Sequence, residues 1–269
     1  MSVVDLNGTS LYYEVDGRGP PCLVLHGGLG VDHQLYRRTL GPLAASSTLV
    51  FYDHRGNGRS GRPPTGTITM EQLADDAAGL AAHLGFERLA VLGHSYGGFV
   101  AQELALRHGD RVDRLVLVAT TPGQLGEGES ADDYAGPPLP AEFVEIISTL
   151  PESDADLARV MERLLPFYLP SSDPAAVASL FDGVVTSVTA MARGFEVLAG
   201  WSSVDRLGAV SCPVRIACGR LDVFTAVPQA YRIADRLEDA EVVIFERSGH
   251  FPWIEEPERF FETVTRWLA

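Results

Sequence analysis

An open, mostly parallel α/β sheet with helices on both faces, carrying an inserted helical segment, is the fold class this sequence predicts. Three observations lead to it. Short apolar runs alternate with longer segments of helical period, the pattern of strands joined by crossover helices. Several runs, such as CLVL and LAVL, are continuously apolar, as strands covered on both faces must be. One stretch of the 269 residues, 121–200, breaks the rhythm and holds no strand-like run. Length agrees, since a chain of this size suits one large domain or a domain with a sizeable insertion.

Strands are expected at 11–15, 22–25, 49–52, 89–92, 115–118, 214–218 and 242–245. Amphipathic helices lie between them. Thr69 and Gln72 make a capping box, after which Met70, Leu73, Ala77, Leu80, Ala81 and Leu84 share one face. The last helix opens with Pro257, whose fixed φ suits a first turn, and repeats apolar residues at Phe260, Phe261, Val264, Trp267 and Leu268. The stretch 121–200 holds 13 acids against 3 Arg, starts polar and Gly-rich, and continues with helical patterns at 143–150, 157–165 and 177–192. It reads as a helical cap inserted between two parts of one core, 1–120 and 201–269. There it would cover the carboxyl ends of the strands.

All 21 basic residues are Arg, and against 36 Asp and Glu they leave a net charge of −15. The lack of Lys excludes a P-loop phosphate grip, a pyridoxal Schiff base and a Ser–Lys dyad. An acidic protein repels polyanions, so neither nucleic acid nor an acidic membrane face is an expected partner. No run reaches the ~18 apolar residues of a membrane span. The opening MSVVDLNGTS lacks the basic and apolar regions of a signal peptide. Cys22, Cys212 and Cys218 make no disulfide framework, so a cytoplasmic protein with reduced thiols is expected. HExxH and CxxC pairs are absent from the sequence, and neither a metal nor another cofactor is expected.

Residues with chemical capacity gather in turns after the predicted strands. Gly93-His94-Ser95-Tyr96-Gly97 follows LAVL and precedes a helical segment. In that setting a strained turn lifts a serine hydroxyl to a helix N-terminus. A serine hydroxyl needs a base, and the base needs an orienting acid. His250, in RSGHFPW after VVIF, and Asp222, in GRLD after VRIAC, supply both at the same sheet edge. The chain order is Ser, Asp, His. His26-Gly27-Gly28-Leu29-Gly30 follows CLVL, where glycine lets the chain approach a developing oxyanion and present backbone N–H groups. Gly28, with Leu29 as its neighbour, and Tyr96 are the candidate donors. His26 is expected to orient that loop, and the Lys-free DHRGNGRS at 53–60 to be a structural turn beside the site.

Taken together, HGGLG, YDHRGNGRS, GHSYGG, GRLD and SGHFPW resemble the α/β-hydrolase superfamily over nearly the whole chain outside the insertion. They are similar to its proline iminopeptidase-like branch and to the esterases and carbon–carbon bond hydrolases near it. The resemblance implies Ser95 as nucleophile, His250 as base and Asp222 as orienting acid, with no cofactor. The chain departs from the iminopeptidases at Tyr96, where they usually carry Trp, and in HGGLG, where they usually read HGGPG. None of the acids in the insertion aligns with their amine-binding glutamates.

The expected function is a serine hydrolase that cleaves a small-molecule carbonyl compound (ester, lactone or amide) through an acyl-enzyme. An iminopeptidase-like aminopeptidase and a carbon–carbon bond hydrolase are alternatives on the same machinery. A ligand-binding receptor that keeps the pocket without turnover is an alternative of another class. Neither substrate contacts nor oligomeric state is legible in the residue pattern.

Overall fold

Asn7 and Gly8 start the fold with positive φ, 49° and 75°, which a short polar residue and a glycine adopt cheaply. The tight turn they make joins β1 (Ser2–Leu6) to β2 (Thr9–Gly17), with Leu6 opposite Thr9. β1 is a strand the sequence pattern did not lead us to expect. It sits on the sheet edge, mostly exposed, so no apolar run marks it. All the expected strands are present, each extended at one end or both. After β2 they are β3 (Pro21–Leu25), β4 (Thr48–Tyr52), β5 (Leu89–His94), β6 (Val112–Val118), β7 (Val214–Gly219) and β8 (Ala240–Phe245). In this computed structural model, which describes residues 2–134 and 138–269, the strands form one eight-stranded open sheet. Its order is β1-β2-β4-β3-β5-β6-β7-β8. The pairs β1–β2 and β2–β4 are antiparallel, and every later pair is parallel.

The helices, in chain order, are α1 (Gln34–Thr39), α2 (Met70–His83), α3 (Tyr96–Arg107), α4 (Ala141–Ser148), α5 (Asp154–Tyr168), α6 (Pro174–Val177), α7 (Val188–Ala199), α8 (Val227–Ala234), α9 (Pro252–Glu255) and α10 (Pro257–Leu268). Strand alternation sorts the apolar side chains into two cores. Leu23, Leu25, Val91, Leu115 and Leu117 pack on one face with Leu73, Val100 and Ile233 of α2, α3 and α8. Cys22, Val24, Leu92, Val116 and Val118 pack on the other with Tyr36, Trp253 and Phe260 of α1, α9 and α10. Each such side chain contributes about 1.5–3 kcal/mol on burial, which makes the central strands the most firmly specified part of the chain. At the start of α2 the Thr69 hydroxyl accepts the Gln72 N–H at 3.2 Å, as the capping box predicts.

Turn 53–60 is fastened to both neighbours. Arg55 donates to both oxygens of Asp76 on α2, at 2.5 and 2.6 Å, and to the Asn7 carbonyl oxygen at 3.2 Å. Both partners of this ion pair are 1% exposed.

Between β6 and β7 the described residues make helices and one isolated bridge, Gly123 to Ser202. The expected helices around 143–150 and 157–165 are α4 and α5. The single helix expected over 177–192 does not form. α6 ends at Val177, an irregular stretch follows with Gly183 at φ 69°, and α7 begins at Val188. Two bonds explain the break. Asp32 accepts the Val185 N–H at 3.0 Å, taking it out of any helical ladder, and the Ser187 hydroxyl caps α7 by accepting the Ala190 N–H at 3.2 Å. The three cysteines are buried and unpaired. Among the described residues no helix is long and apolar enough to cross a membrane.

Breaking a buried ion pair strands a charge, whereas a half-exposed pair is screened by water. Asp76→Ala is therefore expected to cost about 3–5 kcal/mol in denaturant unfolding. The adjacent Asp75→Ala, which loses exposed contacts to Arg107 and His108, should cost about 0–1 kcal/mol.

Candidate active site

Ser95 sits between β5 and α3 with φ 51° and ψ −117°, outside the regions L-residues favour. Its environment imposes that conformation. Its N–H donates to the Val118 carbonyl at 3.0 Å, and its carbonyl accepts from the Gly98 N–H and the Thr120 hydroxyl, both at 2.9 Å. A Cβ on Gly97 would lie 2.7 Å from the His26 carbonyl oxygen, so only glycine allows α3 to start this close to the end of β3. The Ser95 hydroxyl makes no hydrogen bond among the described residues and lines a cavity.

Asp222 and His250 lie just past β7 and β8, and the Leu221 N–H bonds the Ser248 carbonyl at 2.9 Å to hold their loops together. His250 Nδ1–H donates to Asp222 Oδ2 at 2.8 Å. Asp222 is fully buried and also accepts from the Phe224 N–H at 2.8 Å and the Thr225 hydroxyl at 2.5 Å. Burial alone would raise its pKa. The His250 imidazole, the Thr225 hydroxyl and the Phe224 N–H outweigh burial and hold the carboxyl down at about 2. An ionised acceptor on Nδ1 fixes the ring tautomer and leaves Nε2 as the basic nitrogen. His250 lines the same cavity as Ser95. The structure thus brings His250 and Asp222 into direct contact, and His250 and Ser95 to one cavity wall.

Gly28 lines that cavity too, with φ 76°. Among the described residues its N–H has no acceptor, and neither has that of Tyr96 in the first turn of α3. Of the three candidate donors Gly28 lines the cavity, and Leu29 and Tyr96 are not among its lining residues. Beneath Gly28 runs a chain of bonds whose directions are forced. The Gly27 N–H donates to the Tyr36 phenol oxygen at 2.8 Å. His94 Nε2 lies 2.8 Å from the His250 carbonyl, which only accepts, so Nε2 carries the proton. Nδ1 of the neutral ring must then accept from the Tyr36 O–H, at 2.8 Å. Burial, with His250 beside it, holds the His94 pKa well below 6.5 and keeps that ring neutral. The Gly28 loop, the residue before Ser95 and the His250 backbone are therefore linked directionally.

The two structural expectations beside the site have clear geometry. His26 Nε2 accepts the His54 N–H at 3.1 Å, tying its loop to turn 53–60. Asp53 accepts the Arg59 N–H at 2.7 Å within that turn and the His33 N–H at 2.9 Å from the loop before α1.

The cavity is walled mainly by Val31, Leu35, Met161, Phe181, Val184 and Phe251. Asp32 is the carboxylate in its lining, and both oxygens are engaged. Oδ1 accepts from Gln34 N–H at 3.0 Å; Oδ2 accepts from Arg59 at 2.6 Å and from Val185 N–H. Sequence reasoning missed Tyr36, Thr225 and Glu255, whose carboxylate holds the Gly249 N–H at 2.5 Å. For Glu255 a signal existed in the acid pair just after SGHFPW; for the others, none.

A family model described as alpha/beta hydrolase fold matches residues 20–257. Proline iminopeptidase PfmaB of Pestalotiopsis fici is 28% identical over 265 residues, covering 94% of each chain. AB hydrolase superfamily protein YclE of Bacillus subtilis is 28% identical over 277 residues, covering 97% of this chain and 96% of that one. Among solved structures, the enol-lactonase from Burkholderia xenovorans LB400 superposes with a TM-score of 0.79 at 26% identity, covering 99% of both chains.

Two outcomes follow from the geometry. Tyr36→Phe leaves His94 Nδ1 and the Gly27 N–H without their partner and should cost about 1–3 kcal/mol of stability by denaturant unfolding. The carboxyl of Asp222 is held below its unfolded pKa, so its stabilisation is complete above the ordinary carboxylate range and is lost as pH falls toward about 2. The stability gap between wild type and Asp222→Asn should accordingly stay flat from pH ~7 to ~5 and narrow below ~4.

Proposed function

Because the chain belongs to the alpha/beta hydrolase fold family, we propose that it is a serine hydrolase of small, uncharged carbonyl compounds, esters or lactones first among them. The observation that carries this reading is the 2.8 Å bond from His250 to a buried, ionised Asp222 at a cavity that also holds a strained, unpartnered Ser95. Nε2 of His250 takes the Ser95 proton as Oγ bonds to the carbonyl carbon. The carbonyl oxygen becomes an oxyanion held by the Gly28 and Tyr96 N–H groups. Collapse breaks the bond to the leaving oxygen, which receives the proton from His250. Water then attacks the acyl-enzyme, giving one proton to His250, and the released Ser95 oxygen recovers it. In this reading the helices of 121–200 act as the cap: α5 and the stretch before α7 supply Met161, Tyr168, Phe181 and Val184 to the cavity lining.

The enol-lactonase likeness supports a lactone or ester as substrate. An aminopeptidase reading, suggested by the iminopeptidase relative, finds less support. It needs a free carboxylate for the substrate amine, and Asp32 has spent both oxygens on Arg59 and backbone N–H groups. A receptor without turnover would leave no purpose for the strain at Ser95.

Ser95→Ala is expected to lower kcat on p-nitrophenyl butyrate by about 10⁴-fold or more, and to abolish labelling by a fluorophosphonate probe. Wild-type protein that is folded yet neither labelled nor active on esters would sink the serine-hydrolase reading.

A further inference from the structure

Tyr168, the last residue of α5, is fixed on three sides. Its carbonyl accepts the His250 N–H at 2.8 Å. Its ring stacks on Phe224 at 4.2 Å with 12° between planes, and lies 5.2 Å from the His250 ring. Phe224 is backed in turn by Phe143 at 4.9 Å, edge to face. The phenol oxygen is treated differently. It has no hydrogen-bond partner among the described residues, although Tyr168 lines the cavity with Ser95 and His250. The neighbouring Tyr36 phenol, by contrast, is used as both donor and acceptor. Burial, with the Asp222 carboxylate adding to it, pushes the Tyr168 phenol above 10, so it stays protonated and acts as a donor.

A rigid donor that faces a mostly apolar cavity and has no protein partner among the described residues is available to a substrate acceptor. The ring that carries it lies beside His250, and that neighbourhood points to one substrate atom. The carbonyl oxygen goes to the Gly28 and Tyr96 N–H groups, whereas the leaving oxygen must come to His250 to receive its proton. Tyr168 flanks that imidazole. We propose that Tyr168 contacts the substrate, donating a hydrogen bond to the leaving-group oxygen of an uncharged alkyl ester or lactone. The bond strengthens as alkoxide charge develops on that oxygen, so it favours the transition state over the ground state. The substrate is neutral because the remaining wall is apolar and Asp32 is already compensated. This inference rests on the serine-hydrolase reading above.

Tyr168→Phe keeps the stacked ring and the backbone bond and removes only the O–H. An alkoxide leaving group needs the donor; p-nitrophenolate, already stable, does not. In the variant, kcat/KM for ethyl butyrate is expected to fall about 10–100-fold and that for p-nitrophenyl butyrate less than about 3-fold, with fluorophosphonate labelling of Ser95 retained. Wild-type enzyme should also cleave ethyl butyrate at least about 10-fold faster than the anionic monoethyl succinate. An equal fall on both butyrates, the mark of a merely structural role, overturns the proposal, as does no fall on the ethyl ester. Equal turnover of monoethyl succinate overturns the neutral substrate class. Wild-type protein that resists the probe and cleaves no ester overturns the underlying reading and this inference with it.

Discussion

No side chain fits two residues before Ser95 or two residues after it, at Gly93 and Gly97, and the site is built outward from that constraint. A Cβ on Gly93 would lie 2.5 Å from the Gly97 carbonyl oxygen, and one on Gly97 would come closer still to the Leu25 carbonyl. With both positions bare, α3 starts hard against the ends of β3 and β5. The backbone at Ser95 bears the consequence, a left-handed φ that costs on the order of 1–3 kcal/mol. Only a surrounding structure of greater stability holds such a residue, and here it is two cores buried on opposite faces of the parallel strands. The same close approach sets His26, Gly27 and Gly28 beside the helix N-terminus. Proposed nucleophile and proposed oxyanion donors thus share a single packing cause.

Around that turn the chain buries polar groups where apolar packing would be simpler. His26, His54 and His94 are essentially sealed from water, and burial drives all three pKa values down. Each neutral ring then has one donor and one acceptor nitrogen, and the partners agree. His54 Nε2–H meets the His26 carbonyl at 3.1 Å while its Nδ1 accepts from Tyr52. Thr9 Oγ1 is the buried side-chain atom left without a partner among the described residues. A polar network satisfied this fully adds direction to packing: apolar contacts tolerate sliding, and hydrogen bonds to carbonyls do not. If Ser95, His250 and Gly28 act together as proposed, that difference matters more to their loops than net stability.

What the sequence revealed and what it hid follow the same physics. Strands β3, β5, β6 and β7 are buried on both faces and announce themselves as apolar runs. β1, half in water, does not, although the Asn7-Gly8 pair is a hairpin signal that would have located it. The proposed site residues Ser95, Asp222, His250, Gly28 and Tyr96 could be picked out because each belongs to a short local motif at the end of a strand. Tyr36 and His94 were not recognisable as partners: their bond spans 58 positions, and that from His94 to His250 spans 156. Position 168 had no pattern of its own either, since an aromatic residue at a helix end ordinarily signals packing. The failure at 177–192 has the same origin. Periodicity there favoured one helix, and a distant carboxylate, Asp32, claimed a backbone N–H that the helix needed.

On the proposed function, the acid excess of residues 121–200 bears on selectivity by a route its composition does not suggest. Glu127, Asp132, Asp133, Glu142, Glu145, Glu152, Glu162 and Glu196 stand exposed, and Glu129 is spent on Arg232 and Arg236. None of these carboxylates lines the cavity. The charge therefore acts at long range, as a negative field that slows anions in water and is screened by salt, while the cavity discriminates by the cost of desolvating any charge at all. The two effects reinforce each other against anions and oppose each other for cations. Salt should thus alter how fast a cationic compound arrives without altering how poorly the apolar wall receives it. On the proposed reading recognition is divided: surface charge governs approach, and Asp32, paired with Arg59, leaves the interior to shape, apolar contact and the few donors around Ser95.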